Sequence, residues 1–131
     1  GSVASGGEIS RVMLAVKTVL ADEEDTPTLI FDEIDTGISG ITAGKVGDRL
    51  RLIGKSRQVI CITHLPQIAA TADHHFLIRK KAEGTSVRTD VEMLDEAASV
   101  EELARLLGGA NVTERVMESA KELKELAKCE R

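Results

Sequence analysis

The stretch TLIFDEIDTGISG, Thr28 to Gly40, decides how this chain is read. Leu29, Ile30 and Phe31 form a short apolar run after Pro27, the pattern of a buried strand, and the run ends in Asp32, Glu33 and Asp35. Neighbouring residues on a strand point to opposite faces. For Asp32 and Glu33 to serve one cation, the chain must turn at once, and "DEIDTG" supplies the turn residues. Downstream, "TGISGITAGKVGDRLRLIGKS" becomes helical around Ile41, Val46, Leu50 and Ile53. Gly44 and Gly47 within that helix predict close approach of another backbone. A second apolar strand, Val59 to Ile62 in "RQVICITH", ends at Thr63-His64. Strand, helix, strand argues for an α/β fold with a mainly parallel core sheet, whose ligands gather beyond the carboxyl ends of the strands.

Working outward, "VASGGEISRVMLAVKTVLA" opens with Ser5 and Glu8 spaced as a capping box. Ile9, Val12/Met13, Val16 and Val19/Leu20 then recur at helical spacing. Capping explains Ser5 and Glu8 but leaves Gly6 and Gly7 unexplained, since glycine costs about 1 kcal/mol against alanine inside a helix. A polar loop, "DEEDTPT", separates this helix from the first strand. Pro66 suits the first turn of a short helix, "PQIAATA". The alternation in "HHFLIRKKAEGTSVRTDVEML" predicts a β-hairpin turning at Glu83-Gly84-Thr85. Two helices close the chain: "SVEELARLLGG", with Ser99 and Glu102 read as a capping box and Gly108-Gly109 as the stop, then "NVTERVMESAKELKELAK".

Composition narrows the function. The 131 residues carry 17 basic and 22 acidic side chains, a formal net charge of −5. A surface that grips nucleic acid through its phosphates is usually basic, so this segment is not expected to be a main DNA-binding face. Aromatic content is 2%, with no Trp or Tyr, which disfavours a base-stacking platform. No apolar run nears the roughly 20 residues needed to cross a bilayer. Cys61 and Cys129 give neither a disulfide framework nor metal-ligand spacing, which fits a reducing cytoplasm. Gly1-Ser2 reads as a cloning scar, and residues 3–131 as one functional piece.

Each motif alone has a plain structural explanation: a helix cap, a solvated strand end, a surface histidine. Their order is more specific. "ASGGEISRVMLA", "TLIFDEIDTGISG" and "ITHLPQIAATADHHFLIRK", followed by the "LARLLGG" helix, resemble the C-terminal part of an ABC-type ATPase head, in its SMC-like DNA repair branch. The resemblance runs from Val3 to about Lys128. A transporter subunit more typically reads SGGQ, and its strand is followed by a different turn from "IDTGISG".

The resemblance implies a P-loop NTPase-like fold, with parallel core strands, flanking helices and a hairpin. It implies ATP and Mg²⁺ as cofactors, with Asp32 the Walker B magnesium residue and Glu33 the general base. His64 would be the switch histidine at the γ-phosphate, with Gln67 supporting its loop. Ser5, Gly6 and Gly7 would be the signature motif facing ATP held by a second head, with Glu8 beside it. Glycines at a helix N-terminus let backbone N–H groups approach phosphate oxygens closely, so this role accounts for Gly6 and Gly7. Asp35 through Gly40 would form the D-loop at the dimer seam, Asp35 and Ser39 being its polar contacts. Arg11 follows the signature, or is simply a helix-surface charge. No G-x-x-x-x-G-K-[ST] occurs in the 131 residues, so the P-loop is expected from an N-terminal half of the same protein, and the isolated chain is expected to lack appreciable ATPase activity. DNA would be reached through other parts of the parent, a bacterial, nucleoid-associated protein without a membrane partner. The alternatives are the nucleotide-binding subunit of an ABC transporter and a non-enzymatic acidic α/β binding module. Arg79, Lys80, Lys81 and Arg88 on the hairpin either touch DNA or keep an edge strand charged against aggregation.

Overall fold

The structure, a computed structural model, describes residues 8, 9, 11, 12, 14–16 and 26–129. It divides into two units, one up to Thr71 and one from Ala72.

In the first unit, β1 (Thr28–Asp32) and β2 (Gln58–Ile62) pair in parallel, with Thr28 opposite Gln58 and Asp32 opposite Ile62. Parallel strands need a crossover, supplied here by α1 (Gly40–Gly54), after which α2 (Pro66–Ala69) follows β2. Ser39 caps α1, its hydroxyl accepting from the Thr42 N–H at 3.4 Å, and Pro66 occupies the first turn of α2. Ala43, Val46, Gly47, Leu50 and Ile53 face inward from α1 at helical spacing. They meet Leu29 and Phe31 of β1, Ile34, Ile68 and Leu14 in one core. Gly47 does permit a close approach: a Cβ there would lie 2.9 Å from Thr71 Cγ2 and 3.4 Å from the Gln67 carbonyl oxygen. Gly44 has nothing within 4 Å, so the expectation holds for one of the two glycines.

Ile41 lies within α1, as its spacing predicts, and is exposed because the inward stripe of the helix begins at Ala43. One expectation needs correction here. The apolar strands are buried on one side only: Ile30, Ile60 and Ile62 of β1 and β2 are 64%, 44% and 45% exposed. In the first helical stretch Met13, Val19 and Leu20 lie outside the described residues. Leu14 is buried and Arg11 half-buried, three residues apart on one side, whereas Ile9, Val12 and Val16 are exposed.

In the second unit, β3 (His75–Glu83) and β4 (Ser86–Leu94) form an antiparallel hairpin. Glu83 pairs with Ser86 around a two-residue turn in which Gly84 adopts a φ of 64°. α3 (Glu96–Gly108) and α4 (Glu114–Cys129) follow. The cap of α3 is Asp95, whose carboxylate accepts from the Ala98 N–H at 2.8 Å. Ser99 and Glu102 therefore lie inside the helix, and the capping box expected of them does not form. Ser99 is instead buried, with its hydroxyl 2.8 Å from His75 Nδ1 and 3.2 Å from Lys124 Nζ of α4. α3 ends at Gly108 as expected, with Gly109 next in the left-handed region. Leu103, Ala104 and Ala120 form the apolar part of this interior.

Candidate functional site

Parallel pairing in register sets the carboxyl ends of β1 and β2 side by side, so the segments after Asp32 and Ile62 leave the sheet as neighbours. Asp32 is the last strand residue and is exposed. Glu33 has a φ of 59°, a left-handed conformation uncommon for a residue with a side chain. That dihedral ends the strand abruptly and produces the turn expected between the two carboxylates. Backbone strain of this kind concentrates where the surroundings dictate it, often at functional sites. The turn is closed by the Thr36 N–H, which reaches the Glu33 carbonyl at 3.4 Å.

The centre of the arrangement is Asp35. Its side chain is 3% exposed, and one oxygen, Oδ2, gathers the end of β2. The Thr63 hydroxyl donates to it at 2.6 Å and the His64 backbone N–H at 2.9 Å, while His64 Nδ1 lies 2.9 Å away. Thr63 Oγ1 in turn accepts from the Leu65 N–H at 3.0 Å. Burial pushes the Asp35 pKa upward, but the Thr63 and His64 hydrogen bonds and the His64 ring outweigh it and hold the carboxyl below its ordinary value. An ionised Asp35 accepts only, so the proton of the His64 ring belongs on Nδ1. The ring is 73% exposed and leaves Nε2 for other partners.

Arg11 grips the backbone of the same turn. Its Nη1 donates to the Thr36 carbonyl at 2.8 Å and to the Ile34 carbonyl at 3.4 Å. Ile34, between Glu33 and Asp35, is fully buried in the core. Cys61, the penultimate residue of β2, has its thiol pushed up to about 12 by burial and by the nearby Asp35 and Asp32 charges, so it is not a nucleophile at neutral pH.

The structure thus brings Asp32, Glu33, Asp35 and His64 together at one end of the sheet. Ser39 follows on the same loop, exposed, and caps α1. Glu8 is helical and exposed, whereas Ser5, Gly6 and Gly7 lie outside the described residues. Gln67 packs beside Gly40, where an added Cβ would meet its Nε2 at 3.2 Å. Thr63, placed with His64 at the strand end by sequence, is the residue that donates to Asp35. The gripping role of Arg11 was missed, and it carries no signal beyond its position after "SGGE". Asp35, expected at a dimer seam, has its carboxylate engaged within its own chain.

Among the described residues, no group of three or more His, Cys, Asp or Glu side chains could hold a metal ion. Mg²⁺ is usually bound through one or two carboxylates together with substrate phosphates, so an exposed Asp32 at a strand end fits a nucleotide-borne magnesium rather than a protein cage.

No family model matches the chain. Curated relatives do. It is 50% identical over 121 residues to the DNA repair protein RecN of Vibrio cholerae, covering 92% of this chain. It is 50% identical over 125 residues to RecN of Halalkalibacterium halodurans and 44% identical over 121 residues to RecN of Bacillus subtilis. The chain spans 21–22% of the length of these relatives. Among solved structures, a chain from work on ATP-driven dimerization and DNA stimulated activation of SMC ATPases superposes with a TM-score of 0.59 at 23% identity, over 82% of this chain and 65% of that one.

Proposed function

We propose that this chain, RecN-like in sequence over nearly its whole length and folded like part of an SMC ATPase head, forms half of the ATP-hydrolysing site of a bacterial DNA repair protein. One observation carries the reading: the Asp35 carboxylate ties the turn after Asp32-Glu33 to Thr63-His64, so an acid pair and a histidine are held at one sheet end.

Magnesium-ATP, when bound, supplies the phosphoryl group and the cation that neutralises it. Asp32 offers a carboxylate oxygen to that cation. Glu33, turned off the strand by its left-handed backbone, takes a different direction and accepts a proton from the attacking water. His64, fixed through Nδ1, directs Nε2 outward as a donor or acceptor for a terminal phosphate oxygen. Ser5, Gly6 and Gly7 serve the nucleotide of a second head, with Glu8 and Ser39 near the same seam. The half-bare sheet supports the remaining assignment. Parallel sheets are covered on both faces, and the exposed Ile30, Ile60 and Ile62 form a surface suited to the P-loop half of the same protein. DNA is engaged by other parts of the parent. The protein works in the cytoplasm, at the nucleoid; no helix among the described residues is long and apolar enough to cross a membrane.

The decisive variant is Glu33→Gln in the full-length protein. It should bind ATP with unchanged affinity, hydrolyse it about 10²- to 10⁴-fold more slowly, as expected for loss of a general base, and prolong head pairing. Wild-type turnover in that variant would remove Glu33 from the mechanism. Ser5→Arg should block ATP-dependent pairing while sparing nucleotide binding; unchanged pairing would count against the role in the second head's site. The 131-residue chain alone should show no appreciable Mg-ATP turnover.

A further inference from the structure

The geometry points to Arg11 as a positioning residue for hydrolysis, holding the turn that carries Glu33 and Asp35 through the carbonyls on either side of Asp35. The inference rests on the ATPase reading above and extends it to a residue which otherwise reads as a surface charge.

Arg11 comes from the helical stretch that contains Glu8, and its guanidinium is engaged with the turn after β1. It donates to the carbonyls of Ile34 and Thr36, the residues on either side of Asp35. Asp35 then accepts from Thr63 and from the backbone of His64 and lies against the His64 ring. The turn is therefore held at three consecutive residues. Carbonyls 34 and 36 are held from the helix, and carboxylate 35 holds the end of β2. Glu33 is the next residue back, in a left-handed conformation that neighbouring contacts must maintain. Both bonds leave one guanidinium nitrogen, Nη1, so a single charged donor reaches the two carbonyls that flank Asp35. With Arg11 removed, two carbonyls lose their donor, and the 33–36 backbone gains freedom to relax toward ordinary dihedrals. The Glu33 side chain would then lose the fixed direction that its left-handed backbone imposes. Arg11 itself bonds only to backbone carbonyls of the turn, so the loss falls on the chemical step and not on binding.

The test uses the full-length protein, with Arg11→Ala, Arg11→Lys and Glu33→Gln measured for ATP affinity, ATP-dependent pairing, kcat and KM. Arg11→Ala should lower kcat by about 10²-fold, the scale of a misplaced catalytic group. Its ATP affinity and KM should stay within about twofold and pairing should persist. Arg11→Lys, which keeps the charge and several N–H donors on one nitrogen at a shorter reach, should recover part of the lost kcat. Unchanged kcat in Arg11→Ala overturns the inference. So does a fall in kcat accompanied by equal loss of ATP affinity and pairing, unrelieved by lysine, since that describes a merely structural residue. A wild-type protein without turnover, or an undiminished Glu33→Gln, defeats the ATPase reading itself. An inert Glu33→Gln beside a fully active Arg11→Ala defeats only the role of Arg11.

Discussion

At the scale of single residues, the site is strained at one point and saturated with hydrogen bonds at another. The strain is at Glu33, where a left-handed backbone costs a residue with a Cβ about 1 kcal/mol or more. Glu33→Gly should therefore leave the fold as stable or more stable by up to about 1 kcal/mol in chemical denaturation, while abolishing hydrolysis in the full-length protein. Loss of stability on that change would mean the conformation is not strained. The saturation is at Asp35, whose carboxyl is held below its ordinary value of 3.8. A depressed acid stabilises the fold above that ordinary value and ceases to do so as pH falls through the lower folded one. Asp35→Asn should accordingly be destabilising at pH 7, with the gap from wild type narrowing below pH 3.8, as read from urea midpoints. Asp32, Glu33 and His64 were legible in the sequence because each ends or follows an apolar strand. The inward turn of Asp35 was not legible, because an aspartate that binds its own chain and one that faces a partner look alike in one dimension. Arg11 was hidden by its own helix, where the period of the apolar residues drew attention to Ile9, Val12 and Val16.

At the scale of elements, helical glycines divide by what lies opposite. Gly47→Ala brings a methyl against Thr71 and the Gln67 carbonyl and should cost about 1–2 kcal/mol by overpacking. Gly44→Ala meets nothing within 4 Å and should stabilise α1 by up to about 1 kcal/mol through its helix propensity. Paired thermal melts check the opposite signs. The sequence pattern did not separate these glycines, since the distinction belongs to the neighbouring segment and not to the helix. The start of α3 shows the same limit. Ser99 and Glu102 have the spacing of a cap, but Asp95 has the same chemistry one turn earlier. What decides between them is burial beneath β3 and α4, where Ser99 meets His75 and Lys124. Burial, then the Lys124 charge, holds the His75 pKa below its ordinary 6.5. The unfolded chain takes up that proton more readily, so stability should decline as pH falls below 6.5, and His75→Gln should flatten this dependence.

At the scale of the whole molecule, the sequence conveyed an α/β chain with one strand-helix-strand unit, a hairpin and two closing helices, and the structure holds all of them. It did not convey that the chain forms two units with interiors of different character. Among the described residues, the first packs apolar side chains around Ile34 and buries one carboxylate, Asp35; the second combines Leu103 and Ala104 with buried Ser99, Glu102 and Lys124. Truncating Leu103 to Ala should remove about 3 kcal/mol from the second unit, measured by denaturant unfolding. The isoleucine face of β1 and β2 has a colloidal consequence. At pH 7 the formal charge of −5 repels like molecules at long range, while Ile30, Ile60 and Ile62 attract at contact. Salt shortens the range of repulsion, from about 30 Å at 0.01 M to about 3 Å at 1 M, without weakening the apolar attraction. The osmotic second virial coefficient of the isolated chain should therefore pass from positive to negative as salt is raised, and Ile60→Asp should delay the crossing.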